Sequence, residues 1–426
     1  MLKIVCFGPG PRFKGGIANY NTSLAKAFDK ILETEVHIVS WTQQYPAIIP
    51  RDFIDRKSRK DQLEGTNIKV HYITNYNNPI TWKKTVNLIR SLQADLIIFQ
   101  WAIAVQGFPL GFIARQLAKS RKIKIVFDLH FVIQKEGSAL DNRFTRFGIK
   151  KATSYVVHAR QTADQLKILF PKQEFCISNE TTDNISQNGK KILKLFHPVY
   201  DMFKPDPVFD IEKFKTKLGL KEHVFLFFGF IRKYKGLHQA VEAFARLSKE
   251  RNDVSLLIVG ESFWQTLDNK KLGTRIKTQL FGLAKKMFLK KQDDEKEYNP
   301  LSLIRKYGIE DVTVVVNEFV SNEDVHKYFQ VSNNLILFYL TATPSGVESI
   351  GYNFQMPMLA SKVGHFTETI LDGFNGYLAE DQNLESMKEV MVKAINQPIN
   401  RDNVAKTSEN MSWEVYANAI IEHLSV

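Results

Sequence analysis

The chain has 426 residues, 44% of them apolar, and a formal net charge of +13. That is too long for one ordinary domain and too apolar for a disordered chain, so two or three folded domains are expected. Two cysteines, Cys6 and Cys176, argue against a disulfide framework and a cysteine-bound metal. The basic excess suits an anionic partner such as a nucleotide, a phospholipid surface or a nucleic acid, or simply a solvated basic surface.

The chain opens with "MLKIVCFGPG", a short strand and a turn. It lacks the basic region, long apolar stretch and small-residue cleavage site of a signal peptide. No later apolar stretch reaches membrane-spanning length. The expectation is a cytoplasmic protein, with any membrane contact peripheral and at the inner face.

Short β-branched runs then alternate with longer helical patterns. Strands are expected at "KIVCFG", "VHIVSW", "IKVHYI", "ADLIIFQW", "IKIVFDLH" and "SYVVHA", and several are apolar throughout, as strands buried on both faces are. Helical spacing falls at residues 17–28, 82–92 and 107–119. The stretch "PKQEFCISNETTDNISQNGKK" breaks the pattern with polar residues. The alternation restarts with "HVFLFFGF", a helix from Gly236, "VSLLIVG", "VTVVVNEFV", "NLILFYL" and "MPMLAS". The fold class expected is α/β, with two doubly wound Rossmann-like domains facing a central cleft. Residues 1–198 form the first domain and 199–402 the second. A final amphipathic helix within 403–426 crosses back to the first.

Within the second domain, residues 264–299 form an insert. Leu272, Ile276, Leu280, Leu283, Met287 and Phe288 recur at helical spacing among Arg275, Lys277, Lys285, Lys286, Lys290 and Lys291. Such a helix either packs on its own domain with a solvated basic face or lies on an anionic membrane.

Three turns carry the chemical signal. In "FLFFGFIRKYKGL" a strand ends at Gly229, and Arg232, Lys233 and Lys235 precede a helix. A helix N-terminus repels cations, so three there suit a bound diphosphate. "GPGPRFKGGIANY" follows the first strand, with Gly8, Gly10, Gly15 and Gly16. Phe13 occupies the third position of the dinucleotide-binding G-x-G-x-x-G pattern, and the second strand ends in Ser40-Trp41 rather than an acid, which disfavours a nicotinamide dehydrogenase. Gly15-Gly16 still lets backbone approach a ligand. Ser345-Gly346, in "TATPSGVESIGYNFQMP", again lies between strand and helix. No nucleic-acid recognition module is present, so nucleic acid is not an expected partner.

Taken in order, "GGI", "SWTQQYP", "ADLIIFQW", "FDLH", "HPVYDMF", "FFGFIRKYKGL", "EFVSNEDVHKYF" and "PSGVESIGYNFQMPMLASKVGHFTETILDGFNGYL" resemble the family-four retaining glycosyltransferases of GT-B fold, over nearly the whole chain. The resemblance implies a nucleotide-diphosphate sugar as co-substrate, with no separate cofactor and no metal, and retention at the anomeric carbon. The donor is expected on the second domain. A cell-surface glycan or lipid-linked acceptor is expected on the first.

Residue by residue, Lys235 matches the family's phosphate-binding lysine. Phe230 stands where its arginine follows the strand-end glycine, with Arg232 two residues on as the nearest substitute. Ser345, Gly346 and Val347 match the loop whose N–H groups meet phosphate. Gly15 and Gly16 match the first-domain glycine loop, and Glu318, Phe319 and Val320 stand where backbone meets the base. His130 matches a histidine near the donor sugar, set against a strand-end histidine hydrogen-bonded in place. The family's paired glutamates fall at Ala342 and Ile350, so both carboxylates are missing. Glu348 lies two residues from the second position, about 200° around a helix, and is expected to act as a first-turn glutamate favoured by the helix dipole. These losses, with Phe230 and with Asn333 in place of an aspartate, leave a non-catalytic glycosyltransferase-like subunit as the alternative.

Overall fold

The computed structural model describes residues 1–46, 53–120, 122–132, 139–178, 189–262, 298–344 and 346–424. Among these, the first sheet has eight strands: β1 (Leu2–Phe7), β2 (Thr34–Gln43), β3 (Lys69–Asn75), β4 (Leu96–Trp101), β5 (Lys124–Leu129), β6 (Ser154–Val157), β7 (Phe175–Ser178) and β8 (Lys190–Lys194). Their spatial order is 3-2-1-4-5-6-8-7, and every pairing is parallel. The second sheet has β9 (His223–Phe228), β10 (Val254–Val259), β11 (Thr313–Val316), β12 (Asn334–Leu337), β13 (Met358–Ser361) and β14 (Gly376–Ala379). Its order is 11-10-9-12-13-14, again all parallel.

The apolar runs form strands because both faces of each sheet are covered. Along β1, Ile4 and Cys6 pack into one core while Val5 and Phe7 pack into another. All six residues of β4 and of β10 are buried. The order reverses between β1 and β4, and again between β9 and β12. Ligands of open parallel sheets bind at the carboxyl ends of strands flanking such a reversal.

The described ends of the polar stretch after residue 170 carry strands. The stretch contains β7, and β8 begins at its end. Both are short, and β7 forms the sheet edge with only Ile177 buried, so little apolar periodicity marks it. The insert 264–299 lies outside the described residues apart from Tyr298 and Asn299. No described helix is long and apolar enough to cross a membrane.

One apolar core runs through the domain junction, joining Tyr20, Tyr200, Phe203, Leu226, Trp413 and Ile420. The last helix, Trp413–Leu424, packs on the helix Gly16–Asp29 and on β8. Two chain segments therefore pass between the domains. They are tied together where the Val199 N–H donates to the Met411 carbonyl at 2.8 Å.

Candidate functional site

At the carboxyl end of β9 the chain turns through Gly229 at φ 92°. A Cβ on Gly229 would lie 2.8 Å from Lys235 Nζ and 3.2 Å from Val347 Cγ2. The missing side chain thus seats the Lys235 ammonium on the turn beside Val347. Gly236 follows at φ 66°, where a Cβ would stand 1.9 Å from the Phe338 carbonyl oxygen. This left-handed glycine lets the helix Leu237–Leu247 start directly after Lys235. Lys235 is only 6% exposed, and burial, then the Arg232 guanidinium, lower its pKa to about 7. Among the described residues no carboxylate forms an ion pair with it.

The helix Gly346–Asn353 begins next to this lysine. Val347, in its first turn, touches the Gly229 turn. Ser345 lies outside the described residues. Tyr200 joins the two glycine turns, because its hydroxyl donates to the Gly16 carbonyl at 2.8 Å and its ring fills the space of a Gly346 side chain. Gly15, at φ 99°, lies across the cleft from Phe230, whose Cε2 would be 3.9 Å from a Gly15 Cβ. The structure thus gathers Gly15, Gly16, Lys235, Gly346 and Val347 around one junction, with Arg232 close enough to lower the Lys235 pKa. An aromatic edge, that of Phe230, occupies the place where the resemblance implies an arginine.

Glu318 and Phe319 form a rim that lysines of the first domain reach. Lys57 Nζ donates to Glu318 Oε2 at 2.7 Å and to the Phe319 carbonyl at 2.8 Å. Lys14 Nζ lies 5.1 Å from the Phe319 ring centre. Val320 packs against the shared core. No sequence pattern singled out Lys57, which reaches the rim only through the tertiary fold. Gly229 and Tyr200 were visible as a strand-end glycine and as part of "HPVYDMF", but their roles depend on partners distant in sequence.

His130 follows β5 and belongs to a buried cluster. Its Nε2 pairs with Gln100 Oε1 at 2.9 Å, and its ring stacks on His158 with centroids 5.4 Å apart. Burial lowers its pKa to about 4, so the imidazole is neutral near pH 7. Beneath it, Asp128 Oδ1 binds His158 Nε2 at 2.8 Å, and Tyr416 donates to Asp128 Oδ2 at 3.1 Å. Burial pushes the Asp128 carboxyl up, but the charge and hydrogen bond of His158 outweigh it and hold the group below its ordinary value.

Glu348 lies in the first turn of its helix, as expected, and is 4% exposed. It binds His365 Nε2 and accepts from Thr369 Oγ1 at 2.5 Å. Side chains after β13 therefore fix its carboxylate in addition to the helix dipole. Ala342 and Ile350 are buried and apolar. Asn333 joins β9 to β12, with its Oδ1 accepting from the Val224 N–H at 2.8 Å.

Residues 208–411 match the family model for glycosyl transferases group 1. No curated protein matches the chain in sequence. Among solved structures, it is similar to Anabaena HepE in complex with UDP-glucose, at 15% identity and TM-score 0.68 over 100% of both chains. It is also similar to the UDP-forming α,α-trehalose-phosphate synthase of Burkholderia xenovorans, solved with glucose-6-phosphate, at 13% identity and TM-score 0.66 over 100% of both chains. Sucrose-phosphate synthase of Thermosynechococcus elongatus aligns at 15% identity and TM-score 0.58, over 100% of this chain and 96% of its own. These likenesses show the GT-B fold, two parallel-sheet Rossmann-like domains.

Proposed function

We propose that the chain is a retaining, metal-independent glycosyltransferase, which moves a hexose-type sugar from a nucleoside diphosphate to a cell-surface glycan or lipid-linked acceptor. The observation that carries this reading is Lys235, a buried cation without a carboxylate partner among the described residues, seated on Gly229 beside a helix N-terminus. A diphosphate there would relieve the burial of charge. It would also gain N–H groups from the helix Gly346–Asn353 and close approach to Gly15 and Gly16.

In the proposed reaction the bond between the anomeric carbon and the diphosphate oxygen breaks, and the electron pair stays on the phosphate. The acceptor oxygen forms the new bond and passes its proton to the departing diphosphate oxygen. Charge develops on the leaving group, so a preorganised ammonium and backbone N–H groups stabilise the transition state. Arg232 adds to the positive field. The backbone of Glu318, Phe319 and Val320 is assigned to the base. His130, neutral at pH 7, is assigned to the sugar as a hydrogen-bonding group.

UDP is the first nucleotide to try, given the UDP-glucose and UDP-forming relatives. The test is release of nucleoside diphosphate from a panel of nucleotide sugars, with the anomeric outcome read by NMR. Turnover in the intact protein, lowered roughly a hundredfold or more in Lys235→Ala, is expected. Failure to bind or hydrolyse any nucleotide sugar would overturn the reading. It would then favour a non-catalytic subunit, for which Phe230, Ala342 and Ile350 already speak.

A further inference from the structure

A pocket of about 240 Å³ lies at the domain hinge, away from the Lys235 turn. The first domain contributes Arg160, at the start of the helix Arg160–Leu169, and Ile177 at the carboxyl end of β7. Both chain crossings line it as well: Lys194 to Phe196 on the way out, and Met411 with its neighbours on the way back. Its wall is amphipathic. Phe196 and Val415 remain 42% and 47% exposed, while Ile177 and Met411 are buried.

A carboxylate already sits beside this wall. Glu368, from the second domain, accepts the Arg160 backbone N–H on Oε1 at 3.3 Å and Lys194 Nζ on Oε2 at 2.8 Å. One cationic side chain, Lys194, and one backbone N–H thus meet one internal anion at the first turn of a ten-residue helix, where negative charge is favoured. A smaller cavity shares Phe196 and Met411 with the pocket and is also lined by His158 and His365. Each of these histidines is at most 3% exposed and holds a carboxylate through Nε2, while its Nδ1 is buried without a hydrogen-bond partner. Buried polar nitrogens of that kind are uncommon.

We propose that the hinge pocket binds a small amphiphilic anion, a phosphate monoester or carboxylate bearing a short apolar chain. Its head group replaces Glu368 on Lys194 and the Arg160 N–H, and its chain lies against Ile177, Phe196, Met411 and Val415. The volume falls below that of pockets for drug-sized molecules, so the chain is short. Glu368 belongs to one domain and its partners to the other. Occupancy therefore exchanges an interdomain contact for a ligand contact and couples binding to the angle between the domains.

Titration calorimetry of the full chain tests this with hexyl phosphate, hexanoate, inorganic phosphate and hexanol. Hexyl phosphate is expected to bind saturably at one site, with inorganic phosphate and hexanol each at least tenfold weaker. Glu368→Gln removes the competing carboxylate and is expected to tighten hexyl phosphate binding about tenfold, while Lys194→Met abolishes it. Hexanoate binding as tightly as hexyl phosphate would assign the site to carboxylates, and weaker hexanoate binding would assign it to phosphate esters; either supports the site. Absence of saturable binding in both wild type and Glu368→Gln would overturn the proposal. So would unchanged affinity in Glu368→Gln. UDP binding, measured on the same samples, reports on the separate donor turn, so failure at one site is not confused with failure at the other.

Discussion

Lys235 has a pKa of about 7 in the folded chain, against 10.5 for an ordinary lysine, because burial and then Arg232 disfavour its charge. Between those values the unfolded chain holds a proton that the folded chain does not. This group's contribution to stability therefore rises with pH across that window. Diphosphate binding has the opposite requirement, since it needs the ammonium. Above pH 7 the complex must take up a proton, and affinity for UDP is expected to fall by up to about tenfold per pH unit between pH 7 and 9. Calorimetry in two buffers of different ionisation heat checks this, and a pH-independent affinity would contradict it. Asp128 is a second test at this scale. Replacing it by alanine leaves His158 and Tyr416 without their shared carboxylate, and a loss of about 3–5 kcal/mol in urea unfolding is expected.

At the scale of the element, the start of the helix Leu237–Leu247 depends on Gly236. Gly236→Ala meets both a left-handed backbone and the Phe338 carbonyl, 1.9 Å from the new Cβ. More than about 2 kcal/mol of destabilisation is expected. Gly219 has φ 68° but nothing within 4 Å of its Cβ position. Gly219→Ala should therefore cost only the conformational strain, about 1–2 kcal/mol. Equal effects in denaturant titrations would mean that the Phe338 contact is unimportant. The central strands were legible because burial on both faces writes an unbroken apolar run, as in "ADLIIFQW" and "VSLLIVG". The strands β7 and β8 were hidden by their shortness and their place near the sheet edge. The Lys235 turn was legible because its glycines and cations are contiguous. The environment of Glu348 was not, since His365 and Thr369 come from another turn and meet it only after the second sheet has formed.

Across the whole molecule, the cleft rim is held by contacts between domains. Besides Lys57, the backbone N–H groups of Arg59 and Lys60 donate to Glu323 Oε1 at 2.9 and 2.8 Å, and the Asn322 N–H donates to Ser58 Oγ at 3.1 Å. Burial pushes the Glu323 carboxyl up, but these backbone hydrogen bonds outweigh it and hold the group below its ordinary 4.5. The latch is therefore present above pH 4.5 and is lost as pH falls through the lower folded value. Glu323→Gln should imitate that loss at neutral pH by weakening two charge-assisted bonds. A larger radius of gyration by small-angle scattering is the expected result, and an unchanged one would show that the shared core alone sets the domain angle. Such an opening would also draw Lys57 away from Glu318 and Phe319, the segment assigned to the nucleotide base.

The measurement that tests the central claim most directly is a thermal-shift screen of wild type and Lys235→Ala against UDP, GDP and ADP. One diphosphate, present at about a hundred times its dissociation constant, should add roughly 2.7 kcal/mol and raise the wild-type midpoint by about 3 °C. In Lys235→Ala that shift should vanish while the unliganded midpoint stays equal or rises, because a buried charge has been removed. An equal shift in both proteins would place the diphosphate away from Lys235 and contradict the account. So would no shift in wild type with any of the three.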